Sequence, residues 1–161
     1  MNDTEVSAWN EFAQDLRRRV RWDPERIASA LILALEFLPA LENHEREELL
    51  KIARVVAERS SKLAVVFMRV APQVLAGIAP SVRAPILRWA AVFAAHSRET
   101  LIEFMEKSPD IIEDLPESER SVFLDLGLRL AVQDWSVSFK FFLNLPRIQK
   151  EVSGSRVRPW F

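Results

Sequence analysis

The sequence predicts an all-α chain of about four repeats, each 37 residues long and made of two helices plus a short third. Three observations carry this reading. Asp23, Ser60, Ser97 and Asp134 follow one another at steps of 37, and Ser7, His44, Ser81, Ser118 and Ser155 form a second series at the same step. Ser and Asp are favoured where a helix begins, because the side-chain oxygen accepts a hydrogen bond from a first-turn amide that has no other partner. The pairs Phe67-Met68, Phe104-Met105 and Phe141-Phe142 keep the same spacing, and each is followed by a proline at Pro72, Pro109 or Pro146. Finally, three glycines and no tyrosine in 161 residues, with abundant Ala, Leu, Arg and Glu, suit helix throughout.

The series that starts at Ser7 marks a helix A in every repeat, and the series that starts at Asp23 marks a helix B. The repeats then cover about 7–43, 44–80, 81–117 and 118–154, within a single domain of residues 1–152. In repeat one, Asp23-Pro24 is a cap followed by a proline suited to the first helical position. Its proline, Pro39, comes 16 residues after the cap instead of 12, which reads as one added helical turn. Polar Asp15 and Arg19 take the places that Ile52 and Val56 fill one repeat later, so the first A helix suits an end cap. In the later A helices large and small residues recur in phase: Ile52, Trp89 and Leu126, beside Ala53, Ala90 and Gly127. Such alternation lets neighbouring helices approach and interdigitate. Lys51, Arg88 and Asp125 keep one position charged and should form a solvent-facing row. Each B-helix proline should open the short third helix, held down by Val74, Ile111 and Ile148. Residues 155–161 run in phase with Ser81-Val82-Arg83-Ala84-Pro85-Ile86-Leu87, so they read as the start of a fifth, truncated repeat.

Chemistry is sparse. With no cysteine, disulfides and thiolate sites are excluded. His44 and His96, the only histidines, fall at different places in the repeat, and His44-Glu45-Arg46-Glu47-Glu48 lacks the second histidine of a helical zinc motif. Gly77, Gly127 and Gly154 cannot build a phosphate loop. The chain is therefore expected to be non-catalytic, with no cofactor and no metal. A net charge of −1 supplies no field for nucleic acid or an anionic membrane. The longest uncharged run, Val70 to Val82, is too short to span a bilayer and holds two prolines. No signal peptide is evident in the acidic N-terminus, and the expected location is cytoplasmic.

The stretch Leu124-Asp125-Leu126-Gly127-Leu128-Arg129-Leu130-Ala131, with Asp134-Trp135, Phe141-Phe142 and Leu145-Pro146, resembles helical repeats in some bacterial von Willebrand factor A (VWA) domain proteins. These are of the nitric-oxide-reductase-activation and MoxR-associated type. The resemblance covers roughly residues 24–161 and implies a module that works with an AAA+ ATPase partner, or with a VWA domain in the same protein, in assembling or activating other proteins. The metal-binding Asp-x-Ser-x-Ser of a VWA domain is not in this sequence. More generally the repeats resemble a right-handed HEAT/armadillo-like solenoid. The leading expectation is a scaffolding module for protein partners or for a second copy of the chain. The alternatives are a HEAT-like DNA glycosylase, which near-neutral charge disfavours, and a structural spacer within a longer array.

A contact surface is sought where one repeat breaks its own rule. Val66 shares a phase with Glu103 and Lys140, and Val70 with Lys107 and Asn144. Two apolar residues four apart, beside Arg69, therefore stand where the sibling helices keep polar side chains, and Val66, Arg69 and Val70 form the candidate interaction surface. A covering first B helix is the other account of the pair. Weaker candidates are Arg17, Arg18 and Arg21 in the basic run, Trp135 behind its cap, and Trp160 and Phe161 at the C-terminus.

Overall fold

The computed structural model describes residues 1–19 and 23–157. Among them the chain forms α-helices α1 (Asp3–Arg19), α2 (Pro24–Phe37), α3 (Asn43–Arg59), α4 (Ser61–Gly77), α5 (Pro80–His96) and α6 (Arg98–Glu113). Then come α7 (Arg120–Gln133), α8 (Trp135–Leu143) and α9 (Leu145–Val157). Single 3-10 turns at Leu38–Ala40 and Glu117–Glu119 complete the described elements, and no strand occurs among them.

The cap series that starts at Asp23 is found as predicted. α2, α4, α6 and α8 start at residues 24, 61, 98 and 135, each directly behind its cap. Asp23 Oδ1 accepts from the Arg26 amide at 3.1 Å, Ser60 Oγ from Leu63 at 3.1 Å and Ser97 Oγ from Thr100 at 3.3 Å. Asp134 accepts from the Val137 amide at 3.3 Å and from the Ser136 hydroxyl and amide, each at 3.0 Å, and these bonds hold its carboxyl below the usual range.

The series that starts at Ser7 does not cap helices. Ser7, His44 and Ser81 lie inside α1, α3 and α5, Ser118 lies in a 3-10 turn, and Ser155 lies within α9. α1, α3 and α5 start earlier than the series for local reasons. Asn2 Oδ1 takes the Glu5 amide at 2.9 Å, Glu42 and Glu45 form a capping box, and Pro80 sets the helical φ directly behind Ala79. α9 runs through residue 157 without interruption, so no new helix opens at Ser155. The last residues of the expected fifth repeat, 158–161, lie outside the described residues.

The expected third helix exists only in the last unit. α4 and α6 continue through Pro72 and Pro109. An interior proline costs about 3 kcal/mol, but here the continuing turns bury Pro72, Leu75 and Ile112, which offsets it. In the last unit Asn144 donates its side-chain amide to the Lys140 carbonyl at 2.8 Å, competing with the helix for it, and α8 stops at Leu143. Repeat one gains no extra turn either. α2 and its 3-10 turn together span 24–40, matching 61–77 of α4, and Pro39 merely tightens the final turn.

Successive helices pair as α1–α2, α3–α4, α5–α6 and α7–α8. Odd helices also touch odd ones (α3–α5, α5–α7) and even helices even ones, most extensively α2–α4 and α4–α6. Lys51, Arg88 and Asp125 are all exposed, as predicted. The core is densest around Trp89, which is fully buried, as is Phe93. Its ring lies 5.2 Å from Phe104 and 5.3 Å from Phe142, and those two rings are 4.5 Å apart. α5 thus sits between neighbours on both sides, as expected of a helix apolar nearly all round.

Gly127 is what lets α7 approach this cluster. A Cβ there would fall 2.6 Å from Trp89 Cζ2 and Cζ3, and closer still to Cη2. One unit earlier the same two places hold Ile52 and Ala90, a smaller side chain facing a methyl.

A third periodic series, Arg46, Arg83 and Arg120, links successive units, and the sequence reading overlooked it. Each guanidinium reaches back to main-chain carbonyls at the ends of earlier helices or in the turns behind them. Arg46 donates to Leu41 and Leu38, Arg83 to Leu75 at 2.8 Å and Ala40 at 3.4 Å, and Arg120 to Leu115 at 3.1 Å. Carboxylates join two of them: Glu5 bonds Arg46, and Glu45 lies 3.4 Å from Arg83. The Arg46 hydrogen bond, more than any other cause, holds the Glu5 carboxyl below its ordinary value.

Candidate interaction surface

A groove of about 830 Å³ runs between α2 and α4. Its floor is apolar: Ile27, Ala30 and Leu33 from α2, and Val65 and Val66 from α4, with Ile32 exposed beside them. The α2 rim carries Glu25 and Glu36, and the α4 rim carries Lys62 and Arg69. At one end Asp23 and Arg26 form an ion pair at 2.9 Å. The groove therefore has an apolar floor with an acidic side and a basic side.

Two of the three leading candidates belong to it. Val66 is half-buried on the floor, and Arg69 is exposed on the rim. Val70 is half-buried against the core and does not line the groove. α2 lies beside Val66 yet leaves the groove between them.

The weaker candidates are dispersed. Arg17 and Arg18 are exposed in the last turn of α1, where Arg18 pairs with Asp15 at 3.1 Å. Their neighbour Arg19 donates to the Ala57 carbonyl at 3.0 Å. Trp135 is half-buried on α8, its ring stacked on His96 with centroids 6.1 Å apart. Arg21, Trp160 and Phe161 lie outside the described residues.

The sequence reading missed Ile32, which is 68 % exposed and the most open apolar side chain of the groove. The rule that selected Val66 applies to it in part. Ile32 shares a phase with charged Arg69 and Glu106 and with apolar Leu143, so it departs from two of its three siblings.

Among the described residues no group of three His, Asp or Glu side chains could hold a metal ion, and no helix is long and apolar enough to cross a membrane. Comparison with protein-family models, with curated proteins and with solved structures finds no match.

Proposed function

We propose that this chain is a non-catalytic protein-interaction module, a right-handed HEAT/armadillo-like helical-repeat solenoid whose α2–α4 groove receives an amphipathic helix from a partner protein. The groove carries the reading: an apolar floor between an acidic and a basic rim matches a helix with an apolar stripe flanked by basic residues on one side and acidic residues on the other. Ile32 is its natural anchor, and burying that side chain alone would contribute about 2 kcal/mol. Rims of opposite sign favour a protein over nucleic acid, which needs a uniformly basic track. The regular starts of the even helices and the odd-on-odd, even-on-even contacts support the solenoid. The resemblance to VWA-associated repeats suggests an AAA+ ATPase, or a VWA domain of the same protein, as the partner.

A photo-crosslinking residue placed at Ile32 tests this in cells. It should yield a discrete protein adduct that Arg69→Glu diminishes, whereas the same residue at exposed Lys51 on α3 should yield none. An adduct identified as an AAA+ or VWA protein supports the partner as well. Equal labelling at both positions would overturn the reading.

A further inference from the structure

α7 departs from α3 on its solvent side. Val122 and Val132 are 57 % and 76 % exposed, at places that hold Glu48 and Glu58 in α3. Leu126 is 43 % exposed, although Ile52 and Trp89 are buried at the same position in α3 and α5. Trp89 is covered there by the next odd helix, because its ring lies against Gly127 of α7. The same position of α7 is left open, so the element that fits over it is another helix.

The order of residues along α7 specifies which helix. About Gly127 the exposed face is complementary to its own reverse: Asp125 and Arg129 lie two residues to either side, and Val122 and Val132 lie five to either side. A second α7 laid antiparallel against this exposed face, with the two-fold axis at the height of residue 127, pairs Asp125 with Arg129 twice and sets Val122 level with Val132 twice, with the two Leu126 side chains adjacent. A two-fold contact requires such self-complementarity, because each residue meets its own mirror position on the partner.

We propose that two copies of this chain associate through α7 in this antiparallel arrangement. One helix face of this length gives an interface at the small end of the range, below about 1,200 Å². The dimer is therefore a concentration-dependent one.

Charge-swapped variants provide the test, and every substitution is at an exposed position. Sedimentation of the wild type should move from one chain toward two as concentration rises. Asp125→Arg makes the face wholly basic and Arg129→Asp makes it wholly acidic, so each variant alone should sediment as a monomer. Mixed in equal amounts, the two should recover a two-chain species. A wild type that is monomeric throughout the concentration range, or a mixture that stays monomeric while the wild type dimerises, would overturn the arrangement and leave the face to some other occupant.

Discussion

Gly127→Ala is a substitution that helix propensity says should stabilise the chain and the structure says should not. In a helix interior, replacing Gly with Ala gains about 0.8–1 kcal/mol. The new methyl, however, would sit 2.6 Å from two atoms of the Trp89 ring and closer to a third. The indole cannot move aside, because it is fully buried and lies against Phe93, Phe104 and Phe142. Overpacking of this kind costs about 1–3 kcal/mol, and an enclosed rigid ring places the cost at the upper end. The net loss should be about 2 kcal/mol. With a urea slope of about 2 kcal/mol per molar, the unfolding midpoint should fall by about 1 M. Trp89→Phe supplies the control, since it removes the far ring edge that the methyl meets. It also removes an indole N–H that is buried with no hydrogen-bond partner among the described residues. In that background Gly127→Ala should raise the midpoint, which gives the pair a coupling of about 3 kcal/mol. A shift of the same sign in both backgrounds would refute the packing argument.

Two further outcomes follow from the ionic links between units. Arg83→Ala should cost about 3–5 kcal/mol, because it strands the buried Glu45 carboxylate and two carbonyls, whereas Arg83→Met combined with Glu45→Gln should recover a large part of the loss in the same urea measurement. Glu5, whose native carboxyl value is depressed by Arg46, stabilises the fold fully above its ordinary value of 4.5 and progressively less as pH falls through the lower native value. Melting of wild type and Glu5→Gln should therefore differ at about pH 7 and converge toward about pH 3, and a gap that stays constant across that range would contradict the link.

The all-helical class, the four cap residues of the even helices and the in-phase apolar position of Trp89 were legible in the sequence. Each of these rests on contacts made within one turn, or on an apolar face repeated in phase, so residue type and spacing carry them. Asp23, Ser60, Ser97 and Asp134 need only the amides two or three residues on, wherever the rest of the chain lies. The same periodicity misled where two local devices competed. A capping box and Pro80 began α3 and α5 before the serine series allowed, and burial of Leu75 and Ile112 carried α4 and α6 through their prolines. Which apolar departures from the repeat stay open to solvent depends on how the helices pack on one another. Val70 and Ile32 break the repeat's rule in the same way, yet Val70 packs against the core while Ile32 stands 68 % exposed over a groove. The difference comes from where α2 lies against α4, and a helix's position on its neighbour is set by the shapes of both faces together.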